Sequence, residues 1–313
     1  MRFGIVGIGK HGKRYVNHIR NDVEDAFISS VCQRDGKRAK RYLEGLGIKA
    51  DVHTDYKKMC ASDIDSVIIA TPTSTHPQIA LEALRNGKHL LLEKPMAGSV
   101  EECERITETV DEYNCKLMVS QTLRYNPTVM EVKKLAKEMG GVESITMEQH
   151  LEPPDRKWLY NPDLASGGVL LNTGVHIFDT IRYISESDIK PLECTTKNIL
   201  NPNLEDLAFG YFDLGSGGSG GFSTSRYFRG RSRIIKLDCT GGSIAADAMN
   251  DIIKINNVGK TNIFRPTGEK RTLIPLIKDF MDSIINGKKP PITGKDGMES
   301  VRVADGFYDL IIE

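Results

Sequence analysis

Short apolar runs alternate with longer amphipathic segments over the first third of the chain. The runs have the length of buried strands, and the segments between them carry apolar residues at helical spacing. Predicted strands lie at 2–7, 26–32, 66–70, 89–92 and 116–120, with an extended piece near Val52, and predicted helices lie at 13–20, 35–46, 56–60, 75–86 and 100–113. Strands and helices that alternate in this way form β-α-β units. We therefore predict an α/β domain with a doubly wound parallel sheet over residues 1–121.

The pattern changes after residue 121. Strand-like runs now follow one another, separated by turns and glycine clusters. Predicted strands lie at 142–151, 192–199, 204–214, 220–229, 233–239 and 243–247, and predicted helices at 127–139, 274–285 and 297–312. Successive strands with few helices between them are typical of an open, largely antiparallel or mixed sheet. We expect a C-terminal α+β domain over residues 122–313.

Composition narrows the possible partners. The chain has 313 residues, which fits two domains, and its 42 basic residues balance its 42 acidic ones. A net charge of zero gives no reason to expect nucleic acid or an anionic membrane as partner. No apolar run approaches the roughly 20 residues that cross a bilayer.

The start of the chain and its cysteines bear on location and metals. The first strand begins at once, so we expect no signal peptide and a cytoplasmic location. The six cysteines form no C-x-x-C pair and are expected to be reduced core thiols. Neither the cysteines nor the seven histidines show the spacing of metal ligands.

A glycine-rich turn directly follows the first strand. Gly7, Gly9 and Gly12 form G-x-G-x-x-G, with Lys10 and His11 in the variable positions. The first glycine permits a tight turn, the second lets a pyrophosphate approach the backbone, and the third lets the helix pack against the strand. The N–H groups at the helix start attract phosphate. Glycine turns also serve purely structural ends, but the order strand, turn, helix favours a dinucleotide site formed by these residues.

The end of the second predicted strand bears on the choice of cofactor. NAD sites normally carry an acid there, which binds the ribose hydroxyls. This chain has Gln33 in that position, followed by Arg34, with Arg38 in the next turn. A guanidinium binds a 2′-phosphate that a carboxylate would repel. We predict that NADP(H) is preferred over NAD(H). Asp35 remains an alternative ribose ligand if the strand ends later.

Three further motifs, taken together, resemble the glucose–fructose oxidoreductase / inositol dehydrogenase (Gfo/Idh/MocA) family. They are Thr-Pro-Thr-Ser-Thr-His at 71–76, Glu-Lys-Pro at 93–95 and Gly-Gly-Val-Leu-Leu-Asn-Thr-Gly-Val-His-Ile-Phe-Asp at 167–179. Their order and spacing match the family over nearly the whole chain. Lesser family signatures are similar to residues 121–127, 222–225 and 240–244.

The resemblance implies catalytic roles for three residues. His176 falls where the family has its catalytic acid/base, and imidazole titrates near neutral pH. Lys94 corresponds to the lysine that hydrogen-bonds the reacting hydroxyl and the nicotinamide ribose, and the family's Lys-Pro bond is often cis. Asn172 stands where the family usually has Asp, four residues before the histidine. An amide orients a hydroxyl but carries no charge, so proton transfer would fall to His176 and Lys94.

Other contacts are expected from their places in the motifs. Asp179 either orients the imidazole of His176 or is a surface acid. A structural alternative also stays open for the two catalytic candidates. His176 could be a histidine that faces the core, and Lys94 could be a solvated lysine of a loop. Predicted cofactor contacts outside the glycine turn are Gln33, Arg34, Arg38, Thr71, Pro72, Thr73, His76, Glu93, Lys94 and Gln121. Predicted substrate contacts are Arg124, Tyr125, Trp158, Asn172 and His176, with Arg156 and Lys157 as further candidates for a phosphate or carboxylate.

The resemblance implies an NAD(P)-dependent oxidoreductase with a Rossmann domain and a substrate-binding, oligomerising second domain. Hydride would pass between the nicotinamide and a carbinol carbon of a sugar, a sugar derivative such as a nucleotide-linked sugar, or a cyclitol. Two alternatives stay open: a dinucleotide-sensing regulator without turnover, and an NAD-dependent enzyme that cleaves glycosides. The open sheet is expected to pair with another subunit in a homodimer or homotetramer.

Overall fold

Six short strands form a parallel sheet at the start of the chain. The computed structural model describes residues 1–227 and 230–311. The strands are β1 (Arg2–Val6), β2 (Phe27–Cys32), β3 (Asp51–His53), β4 (Ser66–Ile69), β5 (His89–Leu92) and β6 (Leu117–Val119). They pair in the order β3-β2-β1-β4-β5-β6. This is the order of a doubly wound dinucleotide-binding sheet, so the predicted N-terminal fold is confirmed.

Helices connect these strands. They are α1 (Lys10–Asn21), α2 (Gly36–Gly45), α3 (Tyr56–Cys60), α4 (His76–Arg85) and α5 (Val100–Glu112). Ser99 begins α5 by accepting a hydrogen bond from the backbone N–H of Glu102 at 3.3 Å. The Glu102 carboxylate returns to the backbone N–H of Gly98 at 2.9 Å, so two donors at the start of the helix are satisfied.

The first compact unit takes in a segment from much later in the chain. It comprises Met1–Gln121 together with Leu273–Met298. This segment contains α9 (Leu273–Ile285), whose Phe280 packs on Phe3 with ring centroids 6.3 Å apart. The sequence placed residues 122–313 in one domain. The difference arises because α9 buries its apolar face against the first unit, a contact that periodicity along the chain does not reveal.

The second unit comprises Thr122–Thr272 and the C-terminal stretch from Glu299. Its described residues form eight strands, which are β7 (Val142–His150), β8 (Ile189–Lys197), β9 (Leu207–Leu214), β10 (Ser219–Ser225), β11 (Ser232–Cys239), β12 (Gly242–Asp247), β13 (Ile252–Asn257) and β14 (Lys260–Phe264). They form one sheet in the order β14-β13-β12-β11-β7-β10-β9-β8. Only β7 and β10 pair in parallel among these strands, so the predicted largely antiparallel sheet is confirmed.

Some predicted elements differ in extent from the observed ones. The sequence missed β13 and β14, because polar residues interrupt the apolar alternation of this hairpin. The predicted strand 220–229 corresponds to β10, and its end at Arg229 lies outside the described residues. The predicted helix 297–312 corresponds to α10 (Gly294–Tyr308), and its end at Ile312 likewise lies outside them.

Aromatic packing fixes the helix that carries His176. The remaining helices are α6 (Pro127–Glu138), α7 (Pro162–Ala165) and α8 (Val175–Ser185). Phe178 of α8 packs on Phe222 of β10 and on Phe307 of α10, with ring centroids 5.1 and 5.3 Å away. All three rings are buried, so α8 has a fixed position on the sheet.

Two predictions from composition can be compared with the structure. All six cysteines are free and buried, as expected of core thiols. Among the described helices, none combines the length and the apolar character that crossing a bilayer requires.

Candidate active site

The glycine turn has the geometry that a dinucleotide site needs. Gly7 has a φ of +90°, a conformation that other residues rarely adopt. A Cβ at Gly12 would lie 1.9 Å from the carbonyl oxygen of Gly7, so only glycine lets α1 approach the turn this closely. At Gly9 a Cβ would meet nothing within 4 Å, and no side chain caps the helix there. The open backbone at the start of α1 fits a pyrophosphate. Lys10 is exposed beside it.

The end of β2 presents one amide and two exposed arginines. The Gln33 side-chain oxygen accepts a hydrogen bond from the backbone N–H of Ile8 at 3.0 Å. Gln33, which stands where NAD sites normally have an acid, is therefore bonded to the glycine turn. Asp35, the alternative ribose ligand, N-caps α2 by accepting from the backbone N–H of Arg38 at 3.0 Å. Arg34 and Arg38 are both exposed.

Glu93 is buried beneath Lys94. The Tyr15 hydroxyl donates to Glu93 Oε1 at 2.8 Å and also lies 2.7 Å from Ser120 Oγ. Burial and the charge of Glu93 raise the pKa of Tyr15 well above its usual range. The backbone N–H of Lys94 donates to Glu93 Oε2 at 3.3 Å. Glu93 therefore holds the Lys94 segment in place. The Lys94–Pro95 peptide bond is cis.

His76 joins the two loops that carry the Thr-Pro-Thr and Glu-Lys-Pro motifs. Its Nδ1 lies 2.9 Å from the Pro95 carbonyl oxygen and its Nε2 lies 3.1 Å from the Thr71 carbonyl oxygen. The side chain is 1% exposed, and burial lowers its pKa. Both nitrogens of this imidazole face backbone oxygens inside the protein, and the contact of His76 with a cofactor stays a prediction.

The other predicted contacts of the first unit differ in exposure. Thr75 does not cap α4 with its side chain, which donates instead toward Thr71 and Pro72 at 2.7 Å. His11 Nδ1 lies 3.8 Å from Glu93 Oε1. Thr73 and Gln121 are buried, whereas Thr71, Pro72 and Lys94 are partly exposed.

Asn172 lies in a π-helical turn, Leu170–Gly174, directly before α8. Its side chain is 4% exposed. The amide nitrogen donates to the carbonyl oxygens of Gly167 at 2.5 Å and Gly168 at 3.2 Å. His176 is the second residue of α8 and is partly exposed. The wide turn between the two residues means that their spacing of four does not place them on one face of a regular α-helix.

Asp179 pairs with Arg124. The carboxylate is 1% exposed, so its reading as a surface acid is wrong. Arg124 Nη2 lies 2.7 Å from Asp179 Oδ1. Two nitrogens of the Arg124 guanidinium are engaged in this ion pair, and its contact with substrate stays a prediction. Tyr125 and Trp158 are partly exposed. The guanidinium carbon of Arg156 lies 5.6 Å from the centre of the Trp158 ring.

Three residues near the π-helical turn were not found from the sequence. Glu205 Oε1 accepts hydrogen bonds from the backbone N–H of Leu170 at 3.0 Å and from the Tyr308 hydroxyl at 2.7 Å. Burial raises the pKa of Glu205. Arg226 Nε donates to Thr173 Oγ1 at 2.6 Å. Each of these hydrogen bonds joins residues that are distant along the chain, so the sequence pattern does not reveal them. One signal in the sequence pointed to Arg226, which directly follows the family-like stretch 222–225.

Both units match family descriptions. Residues 1–121 match "Oxidoreductase family, NAD-binding Rossmann fold", and residues 131–245 match "GFO/IDH/MocA C-terminal domain". The two matches together cover most of the chain.

Individual relatives agree with these matches. The scyllo-inositol 2-dehydrogenase (NAD(+)) of Bacillus subtilis (strain 168) is 26% identical over 319 residues, covering 97% of this chain and 92% of that protein. The aldose-aldose oxidoreductase from Caulobacter crescentus, complexed with glycerol, has a TM-score of 0.90 at 20% identity, covering 99% of this chain and 97% of that one. Levoglucosan dehydrogenase in complex with NADH and levoglucosan has a TM-score of 0.90 at 19% identity, covering 99% and 96%. These likenesses to solved structures show the shared fold. The chain is an oxidoreductase of the Gfo/Idh/MocA family.

Proposed function

We propose that this protein is an NAD(P)-dependent dehydrogenase or reductase of a carbinol carbon in a sugar, a sugar derivative or a cyclitol. The observation that carries the proposal is the open glycine turn at the start of α1 in a chain that also has Lys94 and His176 at their family positions. Relatives named as inositol dehydrogenases and a relative of the same fold that holds levoglucosan support this substrate class.

The cofactor site would be formed by the backbone of Gly7–Gly12 and by the loops after β4 and β5. A bound nicotinamide supplies or accepts the hydride in this chemistry. Gly9 leaves space for the phosphates, and the N–H groups at the start of α1 stabilise their charge. Glu93 holds the backbone of Lys94, so the ammonium is presented from a fixed segment.

The proton of the substrate hydroxyl passes to His176 during oxidation, and returns from it during reduction. By its family position, Lys94 would hydrogen-bond the reacting hydroxyl and stabilise alkoxide character in the transition state. Asn172 carries no charge, and its amide nitrogen already binds the turn. It therefore takes no part in proton transfer.

A dinucleotide-sensing regulator is the second candidate. The amide of Asn172, in the position of the family's carboxylate, favours it, because a regulator needs no charged group there. This candidate predicts that the cofactor binds and that no sugar or cyclitol changes its redox state.

The experiment is a turnover assay across neutral sugars, sugar acids and cyclitols, with absorbance of the reduced nicotinamide as the readout. His176→Ala and Lys94→Met should each lower kcat/KM by about two orders of magnitude or more, with cofactor binding retained. Lys40→Met, an exposed lysine of α2, is the matched control. Unchanged turnover in both site variants would reject the assigned roles, and cofactor binding without any turnover would favour the regulator.

Two finer features belong to the same proposal. The residues Gln33, Arg34 and Arg38 favour NADP(H), although the names of relatives give NAD and do not support that preference.

The sheet of the second unit pairs with a second copy in a homodimer or homotetramer. The cytoplasmic location stays a prediction from the sequence.

A further inference from the structure

Arg226 is a cation of the second unit for which the described residues supply no acidic partner. It directly follows β10, and its Nε donates to Thr173 Oγ1 at 2.6 Å. That hydrogen bond occupies the Nε–H donor of the guanidinium. Within residues 1–227 and 230–311, its terminal nitrogens have no hydrogen-bond or ion-pair partner. Arg226 is partly exposed and its terminal nitrogens are not buried, so a ligand can reach them.

The surroundings of Arg226 disfavour its charge. Burial lowers its pKa to about 10, the charge of Arg156 lowers it further, and Tyr160 acts in the opposite direction. The guanidinium is still protonated at neutral pH. A partly desolvated guanidinium gains stability from an anion that brings its own acceptor oxygens.

Arg226 lines a small cavity that also reaches the π-helical turn. The cavity has a volume of about 30 Å³, and Tyr160, Asn172 and Asn201 contribute polar groups to its wall. One water-sized group needs about 10–15 Å³ on this measure. The cavity therefore has room for about two water-sized groups, which is the size of a carboxylate.

Two carboxylates, Glu205 and Asp206, line the same cavity and have other partners. Glu205 Oε1 accepts from the Tyr308 hydroxyl and from a backbone N–H, and burial raises the pKa of Glu205, which favours its neutral form. Asp206 accepts three backbone N–H groups, from Ile199, Leu200 and Asn201, at 2.5–3.0 Å. Neither forms an ion pair with Arg226 within the described residues, so the arginine stays available to a ligand.

The cavity is lined by a residue that lies close to the proposed acid/base residue along the chain. Arg226 binds Thr173, which precedes His176 by three residues, and Asn172 belongs to the cavity wall. Three or four residues correspond to roughly one helical turn of about 5.4 Å. An acid group bound at Arg226 therefore lies beside the turn that leads into the helix of His176.

We propose that Arg226 binds a carboxylate carried by the substrate, so that the protein acts on a sugar acid or carboxylated cyclitol in preference to a neutral polyol. This inference rests on the proposed function and narrows its substrate class. Arg226 is a specificity-determining residue in this proposal. It orients the ring through a bidentate contact and takes no proton.

The test compares matched pairs of compounds: glucuronate with glucose, galacturonate with galactose, and glucose 6-phosphate as the phosphate-bearing alternative. Variants are Arg226→Gln, Arg226→Lys, which keeps the charge without the planar fork, and Arg233→Gln. Arg233 is the matched control, because burial also lowers its pKa to about 10 and its Nε donates to Gln149 at 3.0 Å, but it does not line the cavity. The readouts are kcat/KM and the shift of the melting temperature caused by each compound in the presence of cofactor.

We expect the acids to exceed their neutral partners in kcat/KM by about 100-fold. Arg226→Gln should remove the preference for acids while changing turnover of the neutral sugars by less than about threefold. Arg226→Lys should keep part of the preference for acids, and Arg233→Gln should keep all of it. Equal turnover of acids and neutral sugars, or an equal loss on both in Arg226→Gln, would overturn the inference and leave the proposed function standing. A preference for the sugar phosphate would overturn the carboxylate assignment.

Failure of the proposed dehydrogenase function can be distinguished from failure of the carboxylate site at Arg226. If no compound is turned over, a rise in melting temperature caused by the acids alone, absent in Arg226→Gln, upholds the carboxylate site in a protein that is not a dehydrogenase. If the acids cause no such rise, the inference is overturned as well.

Discussion

Arg124 donates two hydrogen bonds to the carboxylate of Asp179, from Nε to Oδ2 at 2.9 Å and from Nη2 to Oδ1 at 2.7 Å. Asp179 is 1% exposed and lies three residues after His176 on α8. The bidentate pair fastens the short helical turn Thr122–Tyr125 to α8. Arg124 is thus a positioning residue for the helix that carries the proposed acid/base.

Removing one partner of this pair should destabilise the protein strongly. Arg124→Met leaves a buried carboxylate without its counter-ion, so we expect a loss of about 3–5 kcal/mol in the free energy of unfolding. The double variant Arg124→Met/Asp179→Leu should recover much of that loss. Chemical denaturation of the single and double variants measures both. Lys288→Met, which breaks an exposed pair with Asp282, should cost less than about 1 kcal/mol. If Arg124→Met and Lys288→Met lowered the free energy of unfolding by the same amount, the positioning role of Arg124 would be contradicted.

Local pattern sufficed for the strands and helices of residues 1–121 and for the motif positions. The order strand, glycine turn and helix depends on neighbours in sequence, and the structure shows it with Gly7 and Gly12 in the expected conformations. The partners of Asp179 and Arg226 lie 55 and 53 residues away along the chain. Spacing along the chain carries no information on such contacts. The π-helical turn at Asn172 was missed for a related reason, because the prediction assumed an unbroken α-helical period.

Asn172 gives a prediction about its own side chain. Its amide nitrogen donates to the carbonyl oxygens of Gly167 and Gly168. Asn172→Asp places a carboxylate against those oxygens, so two hydrogen bonds become repulsive contacts. We expect the variant to lose about 2 kcal/mol or more of stability and to gain no turnover.

Thermal denaturation and the turnover assay test this prediction together. Asn201→Asp provides the control, since Asn201 is also buried in the wall of the cavity. A faster Asn172→Asp enzyme with unchanged melting temperature would show that the carboxylate is tolerated and useful here.

The buried carboxyl group of Glu205 predicts a pH-dependent stability. Its pKa is raised by burial above the ordinary value of 4.5. The folded chain therefore holds the proton more tightly than the unfolded chain does. The resulting stabilisation is complete below the unfolded pKa and is lost as pH rises through the folded pKa. Glu205→Gln keeps the acceptor for the Tyr308 hydroxyl and removes the ionisation.

We expect Glu205→Gln to become progressively more stable than the natural protein as pH rises from 4 to 8. Urea denaturation at intervals across this range gives the difference in free energy of unfolding. Glu193→Gln, an exposed position of β8, serves as the control. Parallel stability curves for the natural protein and Glu205→Gln would contradict the raised pKa.

The choice of cofactor is tested at the exposed arginines that follow β2. Arg34→Ala and Arg38→Ala should each weaken NADP binding about tenfold and leave NAD binding unchanged, because only NADP offers a 2′-phosphate to a guanidinium. Fluorescence titration with both cofactors measures the two dissociation constants, with Lys40→Ala as control. Tighter binding of NAD than of NADP by the natural protein would reject the preference predicted from these residues.

The outer face of the second sheet predicts self-association. Phe209 and Tyr211 on β9 are 40% and 58% exposed, and they alternate with the buried Ala208, Gly210 and Phe212. Large apolar side chains on one exposed sheet face are typical of an interface. Tyr211→Glu should convert a dimer or tetramer into a smaller species in light scattering coupled to size-exclusion chromatography. Ile263→Glu changes an exposed residue of β14, at the opposite end of the sheet order, and should leave the mass unchanged. A natural protein that is monomeric at all concentrations would exclude this role for the sheet.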